Sequence, residues 1–257
     1  MTETTPMPKA APVSPQEPVD AASLVIVDDS DHGELRVLMG QRSARQTFMP
    51  DRFVFPGGRV EPDDLAVAFC PEADLAAIEL RKLQLRMLGT ASDVRARALG
   101  LASVRECAEE AGVIVGSLLP AGMPPESGGS SPASTQPAAF QPSWCAGYAP
   151  RLAPLTYFAR AITPPGRTRR FDTRFFALRR CDIAAETGSD DGELRNLDWY
   201  ALSAIERLNL APITRAILRE LLDRLNAGAL EPSRLAVPFY HQDGDAFVRE
   251  LLDIASD

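Results

Sequence analysis

The stretch Ser-Val-Arg-Glu-Cys-Ala-Glu-Glu-Ala-Gly-Val-Ile-Val, residues 103–115, constrains the fold of this chain more than any other. On a helix its glutamates, Glu106, Glu109 and Glu110, are spaced i, i+3 and i+4 and therefore share one narrow stripe. Gly112 suits the residue that ends such a helix, and the Val-Ile-Val run after it predicts a buried strand. The opposite face of the helix carries small and apolar residues, namely Leu101, Val104, Ala108 and Ala111.

A solvated acidic face is the simplest explanation for three such glutamates, because like charges at this spacing repel by roughly a few tenths of a kcal/mol. A second segment weighs against it. Residues 53–64, Phe-Val-Phe-Pro-Gly-Gly-Arg-Val-Glu-Pro-Asp-Asp, read as an apolar strand that breaks at a Pro-Gly-Gly turn. Glycine permits close approaches that other residues forbid, so a carbonyl in this turn can point at a ligand.

Together the two segments resemble the box of the Nudix hydrolases, G-x5-E-x7-R-E-U-x-E-E-x-G-U, where U is a bulky apolar residue. Gly58 opens the box and residues 105–113 close it. The chain departs from the pattern twice. Asp64 stands where the first glutamate is expected, and 40 residues separate it from Arg105 where the family usually has seven. Cys107 is a small apolar substitute at the inner U position, and the resemblance extends loosely over residues 24–227.

The resemblance implies an α/β fold, a Nudix-type α/β/α sandwich with a mixed sheet and a helical insertion within the box. It also implies a divalent metal, Mg²⁺ or Mn²⁺, since these cations favour oxygen ligands. Glu106 and Glu110 would be metal ligands, Glu109 a ligand or a partner, and Arg105 would hold a glutamate in place. The carbonyl of Gly57 would complete the ligand set. The sequence has no His/Cys cluster that would favour zinc.

The general base stays open among acidic residues of a late loop: Glu186, Asp190, Asp191 and Glu193. A diphosphate also needs cations for its non-bridging oxygens, and arginine suits that geometry. The candidates for this contact are Arg42, Arg52, Arg170 and Arg174, with Arg45 nearby in sequence. The alternatives are ordinary surface charge and, for the last two of the four, cross-strand pairing with Asp172.

The implied substrate is a nucleoside diphosphate linked to another moiety. The Phe-Met-Pro run at residues 48–50, the long insertion and the strand over residues 170–178 resemble the Nudix branch that includes coenzyme A diphosphatases. That branch implies cleavage of CoA or acyl-CoA to 3′,5′-ADP and a phosphopantetheine. An ADP-ribose or nucleotide-sugar diphosphatase is the nearest alternative. A Nudix-fold protein that senses a nucleotide without turnover is another.

Along the chain, residues 1–20 predict a disordered tail, residues 21–227 the Nudix domain and residues 228–257 an extension that adds a small helix or tail. Residues 65–100 predict two short helices that either cover the pocket or pack outside the fold. Ser92 and Asp93 suit the cap of the second, which would run toward or into Arg105. Residues 118–145 predict a flexible loop. Strands are predicted over 22–27 and 34–40 as a hairpin with His32 in its turn, and over 155–163, 170–178 and 193–200. A helix is predicted over 212–227.

In the strand over residues 170–178, alternation predicts one buried face and one charged face that carries Asp172 and Arg174. The net charge of −8 argues against bulk nucleic-acid or membrane binding. Four scattered cysteines without metal spacing predict reduced thiols. With no bilayer-spanning apolar run and no signal peptide, the sequence predicts a cytoplasmic protein. It leaves a homodimer open.

Overall fold

A computed structural model describes residues 17–30, 34–44, 49–68, 74–119, 147–188, 192–205, 207–228, 230–231 and 233–254. The turn at His32, Arg45, Asp190, Asp191 and most of the predicted tail and of the loop over 118–145 lie outside these ranges. In the described part, no helix is long and apolar enough to cross a bilayer. Two of the four cysteines are described, and both are free thiols: Cys107 is buried and Cys181 exposed.

A mixed sheet forms the centre of the molecule. Its described strands are β1 (Val19–Asp28), β2 (Arg36–Arg42), β3 (Phe53–Val54), β4 (Gly57–Arg59), β8 (Thr156–Ile162), β9 (Phe171–Arg179), β11 (Leu194–Ala201), β12 (Val237–Asp243) and β13 (Ala246–Leu252). The strand order is β11-β2-β1-β9-β8-β12-β13, while β3 pairs with β2 and β4 with β1. Two short ladders lie outside it: β5 (Val113–Ile114) with β10 (Ala185–Glu186), and β6 (Gly116–Leu118) with β7 (Tyr148–Pro150).

Helices cover both faces of this sheet. They are α1 (Pro62–Val67), α2 (Ala77–Gln84), α3 (Asp93–Ala111), α4 (Leu202–Ile205) and α5 (Pro212–Asn226). One core cluster joins α2 and α3 to one face of the sheet, and a second joins α5 to the other face. This is the predicted α/β/α arrangement, and the antiparallel pairing of β1 with β2 is the predicted hairpin.

Helix α3 runs without a break from the insertion into the box. It begins where the Ser92 hydroxyl accepts a hydrogen bond from the Arg95 N–H at 3.2 Å, as the sequence predicted. It ends at Gly112, whose φ of 64° is left-handed and suits glycine. Leu99, Leu101 and Val104 of this helix are fully buried, which stabilises the fold by roughly 1.5–3 kcal/mol for each large side chain. The second predicted insertion helix is therefore the first half of the box helix.

The other helix of the insertion, α2, is fastened to the sheet by a buried ion pair. Lys82 Nζ lies 2.8 Å from Glu79 Oε1, and both side chains are at most 1% exposed. The same two groups bind the backbone of Tyr157 on β8, where Glu79 accepts from its N–H at 3.0 Å and Lys82 donates to its carbonyl at 3.2 Å. Burial raises the pKa of Glu79 and lowers that of Lys82, against their mutual attraction. These contacts favour the packing role that the sequence left open for this helix.

The predicted small helix or tail after residue 228 is wrong, because this segment forms a hairpin. Strand β12 joins the sheet parallel to β8, with Phe239 beside Arg160, and β13 folds back on it through a turn at Gly244. The signal was present in the sequence. Asp243-Gly244 is a strong hairpin turn, and Val237-Pro-Phe-Tyr before it is rich in strand-forming residues.

Strand β9 also differs from its predicted pattern. Asp172 and Arg174, placed on a charged outer face by the sequence, are fully buried, while Phe171 and Thr173 are only partly buried. The helical layer covers the charged face, and the two charges are tolerated there because they pair with each other and with neighbouring strands. Arg174 Nη1 lies 3.0 Å from Asp172 Oδ2 and 2.8 Å from Asp20 Oδ1.

Candidate active site

Arg105 on α3 is the centre of the site. Its Nη1 donates to Glu106 Oε1 and to Glu109 Oε2, each at 2.9 Å. Burial alone would lower the pKa of Arg105, but hydrogen bonds to Asp64 and the neighbouring carboxylates raise it, so the guanidinium stays charged. A single arginine thus orients two of the three box glutamates, as the resemblance implied for its position.

Asp64 holds Arg105 from the other side. Its two carboxylate oxygens accept from Arg105 Nε at 2.9 Å and Nη2 at 3.1 Å, and Asp64 is only 2% exposed. Asp64 in turn is fixed at the start of α1, where its Oδ2 accepts from the Glu61 N–H at 2.8 Å. The 40 residues between Asp64 and Arg105 therefore do not separate the two halves of the box in space.

Sequence reasoning missed how this anchor is built. Helix α1 begins with a capping box between Glu61 and Asp64 and has Pro62 in its first turn. The carbonyl of Arg59, the last residue of β4, accepts a hydrogen bond from Arg105 Nη2 at 3.0 Å. The run Glu61-Pro-Asp-Asp64 carries the signature of a helix start, which could have placed Asp64 in the first turn of a helix.

The turn at Gly57 and Gly58 lies directly against the carboxylates of Glu110 and Glu106. The Gly57 N–H donates to Glu110 Oε2 at 2.9 Å. A Cβ on Gly58 would lie 2.1 Å from Glu106 Oε1, so the Glu106 carboxylate occupies the space that any side chain at position 58 would need. These contacts explain both glycines. The predicted role of the Gly57 carbonyl as a metal ligand stays a prediction.

The box carboxylates differ in exposure and therefore in electrostatics. Glu109 is 44% exposed and Glu106 is 16% exposed, whereas Glu110 is 3% exposed. Burial raises the pKa of Glu110 to about 8, and the Glu106 charge adds to this while the Gly57 N–H opposes it. Burial likewise raises the pKa of Glu106, against the attraction of Arg105. Glu110 is thus a buried carboxylate whose charged form is disfavoured, and the partly buried Glu106 lies close to it.

An oxygen-only set with excess negative charge fits a hard divalent cation such as Mg²⁺ or Mn²⁺. In the described part of the chain, however, no three His, Cys, Asp or Glu side chains converge as a ready-made metal cluster. The hydrogen bonds give the reason. Glu106 and Glu109 turn toward Arg105, and Glu110 turns toward Gly57. The donor set fits the metal, and the exposed Glu109 is the side chain with room to change its direction.

Two further charged residues lie near Glu110. The charge of Arg42 lowers the pKa of Glu110 and that of Glu193 raises it. The pairing of β2 with β11 brings the two residues together. Arg42 pairs with Leu194, which follows Glu193, and the Ser43 N–H donates to the Glu193 carbonyl at 3.2 Å. Among the described base candidates, Glu193 thus approaches the box, whereas Glu186 binds Arg180 at 3.0 Å.

The remaining predicted substrate arginines lie elsewhere. Arg52 donates to the Leu210 carbonyl at 3.2 Å and to the Asn209 side chain. Arg174 is 0% exposed and pairs with Asp20 and Asp172, so the cross-strand alternative describes it and direct substrate contact does not. Arg170 donates to the Thr163 carbonyl at 2.9 Å.

Comparison with known proteins bears on this geometry. No family model matches the sequence. Acyl-coenzyme A diphosphatase NUDT19 from Gallus gallus is 28% identical over 215 residues, a match that covers 68% of this chain and 56% of that protein. The chain thus spans little more than half the length of this relative.

Among solved structures, a NUDIX hydrolase from Alicyclobacillus acidocaldarius superposes with a TM-score of 0.56 at 23% identity, over 84% of this chain and 98% of that one. This likeness shows the fold. The fold in turn brings Gly58, Asp64 and Arg105–Glu110 together as the box requires. In its fold and in the box that this fold assembles, the chain resembles the Nudix hydrolases, as its sequence predicted.

Proposed function

We propose that this protein is a metal-dependent diphosphatase that hydrolyses the diphosphate bond of a nucleoside diphosphate linked to another moiety. The observation that carries the proposal is the joining of both halves of the box through Asp64 and Arg105 across the insertion. A protein that only bound a nucleotide would need no such fixed array of carboxylates. The array has a chemical use in phosphoryl transfer, where positioning and charge neutralisation dominate.

Glu106 and Glu110 would hold the metal, Mg²⁺ or Mn²⁺, with Glu109 as a further ligand once it leaves Arg105. When bound, the metal would neutralise phosphate charge and favour deprotonation of water, which a diphosphate needs because negative oxygens surround its phosphorus. The raised pKa of Glu110, about 8, supports this assignment, since a cation would offset the cost of ionising a buried carboxylate.

The chain's own residues would then orient the substrate and move the proton. Arg42, whose charge reaches Glu110, is placed to bind a non-bridging phosphate oxygen. Among the described late-loop carboxylates, Glu193 is the one whose charge raises the pKa of Glu110, and we assign it the role of general base. Arg52 is a weaker candidate for substrate contact because Asn209 and Leu210 already bind its guanidinium.

The substrate that we propose is CoA or acyl-CoA, cleaved to 3′,5′-ADP and a phosphopantetheine. Its support is the sequence similarity to a protein named acyl-coenzyme A diphosphatase, over 68% of this chain. The alternatives are an ADP-ribose or nucleotide-sugar diphosphatase and a nucleotide sensor without turnover. The fold and the box residues determine how the bond is broken, whereas the residues of the substrate pocket determine which substrate is cleaved.

The test is product analysis after incubation with Mg²⁺ or Mn²⁺ and a panel of CoA, acetyl-CoA, ADP-ribose, NADH and diadenosine polyphosphates. In H₂¹⁸O the label shows which phosphorus the water attacks. Glu110→Gln should lower kcat by at least about 10²-fold. Glu231→Gln is the matched control, because Glu231 is an exposed glutamate that lies near Arg179 outside the box and should keep full activity.

Each outcome decides between the candidates. Release of 3′,5′-ADP from CoA, lost in Glu110→Gln, supports both the chemistry and the substrate. Turnover of ADP-ribose alone keeps the chemistry and refutes the CoA assignment. If neither metal supports cleavage of any compound, the enzyme proposal fails, and saturable nucleotide binding would then favour the sensor.

A further inference from the structure

A pocket of about 490 Å³ lies at the other end of the sheet from the box. The ionisable residues that line it are all basic: Arg86, Arg160, Arg170 and His241. No carboxylate from the described residues is part of its lining, and the carboxylate of Glu250 contacts Arg86 and His241 from outside it. Leu88, Ile162 and Phe239 supply apolar walls. A pocket with basic and apolar lining suits an anion attached to an apolar group.

The strand register separates this pocket from the box. Gly58 pairs with Ala22, Ala22 with Arg174, Arg174 with Arg160, and Arg160 with Phe239. Neighbouring strands lie about 4.8 Å apart, so these four steps place Phe239 about 19 Å from Gly58. A ligand held beside Phe239 would therefore bind through residues other than the box carboxylates.

Arg160 connects the pocket to a buried cluster that has more arginines than aspartates. Arg160, 0% exposed, donates to both oxygens of Asp172 at 2.8 and 2.7 Å. The same carboxylate also serves Arg174, and Asp20 is shared between Arg174 and Arg95 of α3. Two nitrogens of Arg174, Nε and Nη2, are buried without a hydrogen-bond acceptor among the described residues. Three arginines, of which Arg160 lines the pocket, thus share two aspartates.

Aromatic stacking holds the cations at the pocket wall. The guanidinium carbons of Arg160 and Arg86 lie 4.5 and 5.1 Å from the centre of the Phe239 ring. His241 stacks on the same ring with centroids 4.4 Å apart. Arg86 is 56% exposed and pairs at the surface with Glu250, so its guanidinium lies at the mouth. An entering anion would meet Arg86 and Arg170 first and the buried Arg160 below them.

We propose that this pocket is a second ligand site, which binds a phosphate or carboxylate group carried on an apolar or ring-containing molecule. Arg170 and Arg86 contact the anion, and Phe239, Ile162 and Leu88 contact the apolar part. The buried excess of arginine over aspartate provides the electrostatic attraction. Such a ligand is either the end of the substrate remote from the box or a separate molecule, and the chemistry is the same for both.

The probe is phenyl phosphate, titrated into the full-length protein by calorimetry without divalent metal, with inorganic phosphate alongside. Phenyl phosphate should bind at least about tenfold more tightly than inorganic phosphate, because only the ester reaches the apolar wall. Arg170→Gln should weaken phenyl phosphate about tenfold or more. Arg169→Gln is the matched control, since it removes the same charge from an exposed neighbour outside the lining and should change the affinity less than about twofold.

The proposal is overturned if phenyl phosphate does not bind, if Arg170→Gln and Arg169→Gln bind it equally, or if Glu110→Gln abolishes binding. The last result would place the probe at the box. These readouts do not depend on the proposed enzymatic activity.

The two sources of the ligand are separated kinetically on whichever diphosphate is turned over. A KM raised several-fold in Arg170→Gln, with kcat unchanged, assigns the pocket to the remote end of the substrate. An unchanged KM, together with lost phenyl phosphate binding, assigns it to a separate ligand.

Discussion

Two arginine–carboxylate clusters lie on the same face of the sheet. One has more carboxylates than arginines, and the other has more arginines than carboxylates. At the box, Arg105 binds Asp64, Glu106 and Glu109, and Glu110 beside them accepts a hydrogen bond from the Gly57 N–H. Beneath the pocket, Arg160, Arg174 and Arg95 share Asp172 and Asp20. The first cluster has an excess of negative charge and the second an excess of positive charge.

The buried pair Glu79–Lys82 shows what a matched cluster does. Its two charges are equal and opposite, and both bind the backbone of one strand, so it fastens α2 to β8. Since an unpaired buried charge is expensive, a cluster with surplus charge points to a ligand of the opposite sign. The comparison therefore supports the proposed cation at the box and the proposed anion in the pocket, and it gives the matched pair a structural role.

The largest effect is expected from Asp172→Asn. The change leaves the buried Arg160 and Arg174 without their shared carboxylate, and removal of one partner from a buried ion pair costs about 3–5 kcal/mol of unfolding free energy. Urea denaturation measures it. A loss below about 1 kcal/mol would mean that this cluster is already neutralised in another way, and the assignment of an anion would lose its basis.

Next in size is Arg105→Lys. Lysine keeps the charge but cannot bridge Asp64, Glu106 and Glu109 at once, so we expect kcat to fall about 10²-fold while the chain still folds. Steady-state kinetics and circular dichroism separate the two effects. Arg195→Lys, at an exposed pair with Asp51, is the control and should change neither. Full activity in Arg105→Lys would refute the orienting role of the guanidinium.

The two glycines of the turn should respond differently. In Gly58→Ala the new Cβ meets the Glu106 carboxylate, a side chain that can move, so activity should fall about tenfold or more with little loss of stability. In Gly57→Ala the Cβ meets the backbone of Ala22 at 2.5 Å, which cannot move freely, so stability should fall by about 1–3 kcal/mol. Thermal melts and kinetics on both variants test the contrast. The opposite pattern would place the Glu106 carboxylate away from Gly58.

The smallest effect concerns pH and metal together. The pKa of Glu110 is raised from an ordinary 4.5 to about 8, so the folded state holds a proton that the unfolded state has lost between these values. Stability without metal should therefore decrease as pH rises through this window, with most of the contribution present below pH 4.5.

A bound divalent cation removes that penalty. We expect about 5 mM Mg²⁺ to raise Tm at both pH values, and to raise it by about a few degrees more at pH 8 than at pH 5.5. In Glu110→Gln the difference between the two pH values should shrink. An equal Mg²⁺ effect at both pH values in the unaltered protein would contradict the assignment of Glu110 as a buried ligand.

Local patterns in the sequence predicted most of the framework. Ser92 and Gly112 delimit α3 by the capping rules, and the strands near residues 22–27, 155–163 and 193–200 are present to within a few residues. The box itself located Arg105 and the glutamates. These features depend on residues close together in the chain, where periodicity and turn chemistry are informative.

Long-range pairing was beyond the same reasoning. Alternation in β9 placed Asp172 and Arg174 outside. Only the covering helices and Asp20, which pairs with Arg174 from 154 positions earlier, show why they are buried. The role of Asp64 likewise depends on a partner 41 residues away. The C-terminal hairpin is a different case. Its Asp-Gly turn could be recognised in the sequence, but the polar residues on both sides of the turn hid the pattern of the two strands.

Helix α3 is one uninterrupted rod of 19 residues, and both clusters are attached to it. Arg95 near its start binds Asp20 of the cationic cluster, and Arg105 near its end binds Asp64 of the box. The ten helical steps from Arg95 to Arg105 span about 15 Å. A displacement of the helix along its axis would disturb both contacts together. Any energetic linkage that this rod transmits between a cation at one end and an anion at the other must be reciprocal and equal in size.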